Sequence, residues 1–287
     1  MTTKQKRNIK SISNAMDDMR FARVREIIKK ETNNKNKKEL IDTAYPLLDE
    51  NDNPEMMSFF LDEIIKHKIS VNKNDFLYQS VIVGNYDVVK YMLKNGANPN
   101  TKGAFGDTCL HFAALNGFVD IFDELLKSKC NIHALNKEGQ NIIQCAAASG
   151  NYYMFKKLFD NGCDIFCVTK EKPKNSFCHI CDKENIIHIA SYGKSEANEY
   201  DDHIKIIKFA IKQGVPYASL SGDGSNILHF AAAGGNIEMV NYVLTLDVDA
   251  TWKNKKKRTP FDVAKYHDNF EVADIIKDHI RSDNQRF

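Results

Sequence analysis

Soft metal ligands cluster once in this chain. Cys163-x3-Cys167-x10-Cys178-His179-x-Cys181, with His188 seven residues beyond, supplies clustered thiols and imidazoles. Four such ligands at this spacing suit a tetrahedral zinc, with the Cys178-x2-Cys181 pair as one arm and Cys163 and Cys167 completing the set. A closed site would be structural and would pin a long loop. A site that keeps one position open gives the alternative function, a zinc-containing enzyme or a metal-dependent regulator built on residues 163–188. The same residues also read as ordinary thiols, because Cys163 fills a slot that Ala97 and Cys130 fill elsewhere, where a small buried side chain is wanted.

Other groups capable of chemistry are scattered. His111, His188 and His229 each sit in the same short phrase, which points to a hydrogen-bonding role at a helix start rather than to catalysis. No nucleophile phrase, phosphate-cradling loop or paired carboxylates accompany them, so no catalytic residue is expected. Gly222-Asp-Gly224 lacks the strand and third glycine of a dinucleotide fingerprint. The concentrated basic run, Lys253-Asn-Lys-Lys-Lys-Arg258, reads as a solvated loop tip, a nuclear-import signal or an anion contact. Trp252 beside it is either packing at the loop base or an interface anchor.

Elements that would position these groups follow from composition and period. The 287 residues are 43% hydrophobic and 27% charged, the balance of a folded protein, and the formal net charge is +2. Only local charge is therefore informative about partners. No apolar run approaches the roughly 20 residues that span a bilayer. The basic N-terminus leads into no apolar segment, so a cytoplasmic protein without a secretory signal is expected, with the nucleus as destination if the basic run directs import. Seven cysteines in so long a chain read as reduced thiols.

A period of 33 residues organises the chain. Gly84, Gly117 and Gly150 fall 33 apart, as do Gly235 and Asp268. A second glycine follows twelve residues later at Gly96 and Gly162, and Gly214 has the same role. Thr108-Cys-Leu-His-Phe-Ala-Ala-Leu-Asn-Gly117 matches Asn226-Ile-Leu-His-Phe-Ala-Ala-Ala-Gly-Gly235, and Asn141 to Gly150 repeats the phrase with Gln144 in the histidine slot. Thr259-Pro-Phe-Asp-Val-Ala264 is a terminal version. The spacing lengthens to 44 between Gln144 and His188, an excess of about eleven residues, and a further excess of about eight falls around 194–200. Insertions in repeat arrays map to loops.

These phrases resemble the ankyrin-repeat family, with its T-P-L-H-x-A-A-x-x-G phrase and V-x-x-L-L-x-x-G-A tail. The resemblance is strong from about residue 73 to 280 and implies an all-α solenoid of stacked helix-turn-helix units with projecting loops. About eight units are expected in one domain over 1–287. Residues 1–72 hold two degenerate units, 73–182 well-matched units and the inserted loop, 183–223 a unit with the second insertion, and 224–287 the last units and cap.

The family binds its ligands along loop tips and first helices. Carried onto this sequence, that surface comprises Phe105, Asp107, Leu115 and Asn116, then Lys137, Glu138, Gln140, Ala148 and Ser149. It continues through Asp223 and Ser225 to Lys255, Lys256, Arg258, Tyr266 and His267, with Tyr192 where the register is broken. Mixed charge and aromatics suit a protein partner rather than nucleic acid. The expected function is thus a monomeric, non-enzymatic adaptor, scaffold or inhibitor without a cofactor, small-molecule substrate or membrane. An AT-rich composition admits a variant, an effector delivered into a host cytoplasm by a microbe or virus.

Overall fold

Helices of six to ten residues are marginal alone, so each must be started by a side chain and covered by a neighbour. The computed structural model describes residues 21–31, 33–44, 59, 62–64, 66, 72–170, 183–193 and 202–284. It divides into two compact units, residues 1–103 with 123–130, and residues 104–122 with 131–287.

The first unit contains α1 (Phe21–Lys30), α2 (Asn34–Ala44), α3 (Lys73–Ile82) and α4 (Tyr86–Lys94). The Asn72 and Asn85 side chains accept the backbone N–H groups of Asn74 and Val88 and start α3 and α4. Leu77, Val81, Val88 and Val89 are fully buried, and Ile28, Leu40 and Ile64 are buried too. Lys37 donates to Glu63 at 2.8 Å in the same interior, so this buried cation has its counter-charge. Of the two degenerate units expected before residue 73, most of the phrase 51–60 and the residues before 21 lie outside the described residues.

The second unit is built on α5 (Cys109–Leu115), α7 (Ile142–Ala148), α8 (Tyr152–Asp160), α9 (Ile186–Ser191) and α10 (His203–Lys212). It continues with α11 (Ile227–Gly234), α12 (Ile237–Leu244), α13 (Pro260–Tyr266) and α14 (Phe270–Asn284). The boundary between the units passes within α6 (Val119–Lys127). First helices stack in the order α5, α7, α9, α11, α13, and second helices in the order α8, α10, α12, α14. Ala113, Ala114, Ala146, Ala147, Ala231 and Ala232 are fully buried, so small side chains let the first helices approach closely. Val240, Val243, Phe155, Leu158, Ile206 and Ile207 fill the layer behind them. Among the described residues no strand is present, and the backbone pairing outside helices includes an isolated antiparallel bridge from Leu135 to Asn141. The architecture is the expected all-α stack of helical pairs.

Each first helix of this unit starts on a reciprocal capping pair: Thr108 with His111, Asn141 with Gln144, Asn185 with His188, Asn226 with His229, Thr259 with Asp262. The capping residues are spaced 33, 44, 41 and 33 apart. The long intervals carry the two excesses, and residues 171–182 and 194–201 within them lie outside the described residues. In α14 Val272, Ala273 and Ile276 are buried and Glu271, Asp274 and Lys277 are exposed, an amphipathic helix with one face packed and one wet.

Candidate functional site

Between each second helix and the next first helix a loop projects, and in the second unit bonds tie the first three of these loops in series and the last two to each other. Lys137 N donates to Phe105 O at 3.0 Å, Lys170 N to Glu138 O at 3.0 Å, and Lys255 N to Asp223 O at 2.9 Å. The lysine side chains reinforce this: Lys137 Nζ reaches Ala104 O, Lys170 Nζ reaches Lys137 O, and Lys255 Nζ reaches Gly222 O. Each loop is also closed on itself. Asn136 Oδ1 accepts Glu138 N and Gln140 N, and Asn254 Oδ1 accepts Lys256 N and Arg258 N in the same way. Ser221 and Asp223 together accept Ser225 N. The turn needs one residue with positive φ, supplied by Gly106, Gly139, Gly224 and Lys257.

Histidines hold these loops to the helices. Nδ1 of His111, His188 and His229 accepts the N–H of Thr108, Asn185 and Asn226, while Nε2 donates to Gln140 O, Ser219 O and Arg258 O. Gln144 makes the same connection, donating from Nε2 to Cys167 O at 3.1 Å and accepting Asn141 N. Burial holds His188 down to about 4 against the opposing pull of the Ser219 carbonyl and Asp223. Burial likewise lowers His229. Both rings are neutral spacers with each nitrogen occupied, which suits the helix-start role.

The thiols are equally quiet. Burial raises Cys130 to about 11 and pushes Cys145 and Cys167 up as well, so these groups are protonated at neutral pH and make poor nucleophiles. Cys163 is buried and donates to Ile132 O at 3.3 Å, as a small interior residue would. Cys167 is half-buried near Gly139 O. The other expected zinc ligands, Cys178 and Cys181, and also His179, lie outside the described residues, and among the described residues no three His, Cys, Asp or Glu side chains are grouped to hold a metal.

The expected partner-binding residues all belong to the second unit, and they divide by exposure. Phe105 is 71% exposed, Tyr266 64% and Leu115 47%, and Asn116, Lys137, Lys255, Lys256 and His267 are exposed as well. Glu138, Ala148 and Ser149 are half-buried, as is Tyr192 at the end of α9. Others are half-buried because they build the loops. Asp107 Oδ1 and Gln140 Oε1 both accept from Asn136 Nδ2, Asp223 accepts from Ser221 and Ser225, and Arg258 lies 4.1 Å over the Tyr266 ring. Ser225 is buried, accepting Asn254 Nδ2 on its hydroxyl and Ser221 N on its carbonyl, so it frames the loop rather than facing outward. Trp252 is 41% exposed while its Nε1 donates to Gly224 O at 2.9 Å, a bond that fits packing at the loop base.

Two features escape the sequence reading. One is a cavity of about 380 Å³ where the first insertion leaves and rejoins the unit, walled mainly by Phe166, Val168, Val215, Pro216 and Leu220. Phe166 and Val168 stand close to the loop residues Thr169 and Lys170, and that proximity is the signal that could have found them. The other is His203, which takes the register position that asparagine holds at Asn151 and Asn236. Its Nε2 donates to Ala148 O at 3.1 Å, and the ring fills the space beside Gly150 and Gly193, where a Cβ would sit 2.5 Å and 2.7 Å away.

Comparisons with known proteins agree with this architecture. A family model described as ankyrin repeats, three copies, matches residues 77–169 and 187–286, together more than half of the chain. The interval it leaves unmatched contains the first insertion. A putative ankyrin repeat protein of Acanthamoeba polyphaga mimivirus is 28% identical over 81 residues, which cover 28% of this chain and 11% of that protein. The chain thus matches only a small part of that relative's length. Among solved structures, one of a predatory endopeptidase from Bdellovibrio bacteriovorus in complex with an immunity protein is similar with a TM-score of 0.52 and 22% identity, over 70% of this chain and 96% of the matched one. The human ASB11 ankyrin repeat domain is similar with a TM-score of 0.52 and 18% identity, over 71% and 82%. At such identities these two likenesses speak for the fold alone. From its capping phrases, its stacked helix pairs and the family match, the chain belongs to the ankyrin-repeat family.

Proposed function

We propose that this chain is a non-enzymatic binding module, an adaptor, scaffold or inhibitor, that engages a partner protein through the loop tips and first helices of its second unit. Ankyrin repeats are generally protein-interaction modules, which supports the class. The observation that carries the finer reading is the loop ladder. Backbone bonds between successive loops hold the tips in place before any partner arrives, which lowers the ordering cost of binding. On that frame Phe105, Leu115 and Tyr266 are exposed, the kinds of apolar and aromatic anchors that dominate interfaces. The partial likeness to a viral ankyrin protein fits the variant in which the module acts inside a host cell.

Capture of partners from the native cell, quantified for the wild type and for a Phe105→Ala, Leu115→Ala, Tyr266→Ala triple variant, tests this reading. Loss of at least about tenfold in captured partner, with unchanged far-UV circular dichroism, is expected, since hot-spot truncations cost about 2 kcal/mol or more. Undiminished capture would place the interface elsewhere.

A further inference from the structure

The loop between α12 and α13 concentrates positive charge, and the carboxylates beside it are held in local hydrogen bonds, with Asp223 half-buried and Asp249 and Asp262 exposed. Lys253, Lys255, Lys256, Lys257 and Arg258 occupy five of six successive positions. Asp223 accepts from Ser221 Oγ at 2.7 Å and from Ser225 N at 3.0 Å. Asp262 Oδ2 accepts Thr259 N at 2.9 Å and Thr259 Oγ1 at 2.8 Å, and Asp249 Oδ1 accepts Thr251 N and its hydroxyl. These carboxylates therefore spend acceptors on the frame. Two of the cations are also engaged, Lys255 with Gly222 O and Arg258 over Tyr266. Lys253 and Lys256 lie within electrostatic reach of Asp262 and Asp223, yet both are exposed, as is Lys257, and on the same loop and helix the Trp252 and Tyr266 rings are 41% and 64% exposed.

We propose that this corner of the second unit binds an acidic segment of a partner protein, the lysines meeting carboxylates and the two aromatic rings meeting an apolar side chain next to them. The proposal rests on the protein-binding reading above and gives its partner a chemistry. Charge complementarity selects the occupant. A long polyphosphate fits less well, because the basic stretch ends within one loop and other loops of the unit carry Glu138 and Asp223. Few phosphates would be neutralised, and affinity for nucleic acid grows with their number.

Fluorescence anisotropy with three labelled probes tests the idea: a glutamate-rich peptide around one phenylalanine, its glutamine counterpart, and an oligothymidylate of similar length. The glutamate peptide should bind at least about tenfold more tightly than the glutamine one and weaken as salt is raised. A Lys253→Glu, Lys256→Glu variant should lose about tenfold or more, and Lys257→Gly should lose less. Lys257→Gly guards against misfolding, since Lys257 has φ of +61°, where glycine is at ease. Lys212→Glu, a charge change at the exposed end of α10, should leave the peptide affinity unchanged. Equal binding of both peptides, equal binding by the charge-reversed protein, no binding of the glutamate peptide, or tighter binding of the oligothymidylate overturns the proposal. If the peptide fails while partner capture still depends on Phe105 and Leu115, the acidic segment is wrong and the wider reading stands.

Discussion

His188 and Gln144 fill the same position in successive repeats and make the same two kinds of bond, one to the N–H that starts the helix and one to a loop carbonyl. Only one of them titrates. Burial holds folded His188 at about 4, whereas an unfolded histidine protonates near 6.5. Between those values the unfolded chain takes up a proton that the folded chain refuses. The contribution of His188 is therefore complete above about pH 6.5 and is lost as pH falls toward 4, to a total of about 3 kcal/mol. Urea unfolding should show stability falling from pH 7 to pH 4.5, with a visibly shallower slope in His188→Gln, which copies the neighbouring repeat. Identical slopes would mean that the ring is protonated in the folded chain. The histidine role was legible in the sequence because the phrase recurs in register. His203 is harder to read: the second insertion separates it from its preceding phrase, and only the count of eleven back from Gly214, as from Gly162 to Asn151, places it in the asparagine position.

At the scale of the element, the spacing of glycines made the helix stops readable, because a left-handed residue must follow each second helix. Gly96, Gly162 and Gly214 occupy that place with φ between +83° and +93°. Lys129 and Asp247 stand in the same register with φ of +57° and +55°, each bearing a Cβ that this conformation disfavours. Lys129→Gly and Asp247→Gly should each raise stability, by about 0.5–1 kcal/mol, the strain relieved exceeding the chain entropy that glycine adds. Thermal or urea unfolding checks this. A loss of stability on either substitution would show that the side chain contributes a contact worth more than the strain. Asp268, matched to Gly235 from spacing alone, has φ of +60° and so confirms that register. What spacing cannot show is which loop residues are consumed by the frame. Ser225 and Asp107 look like surface residues in the sequence, and only the loop-to-loop bonds reveal where their polar atoms go.

For the molecule as a whole, a net charge of +2 conceals how unevenly charge is placed, and 33-residue periodicity conceals where the array is interrupted. The interruptions were countable from the phrase spacing, and the capping residues stand at the intervals that count requires. The apolar cavity at the base of the first insertion was not, because Phe166, Val168 and Leu220 come from two repeats that the insertion separates in sequence. The central claim is that the loop tips and first helices of the second unit form the surface that meets another protein. The most direct measurement places a photo-crosslinking residue at Phe105 or Tyr266, and at Tyr153 or Glu238 on second helices, in the native cell. The account predicts one covalent protein adduct of common mass from the first pair and none from the second. An adduct from Tyr153 or Glu238, with none from Phe105 or Tyr266, would contradict it.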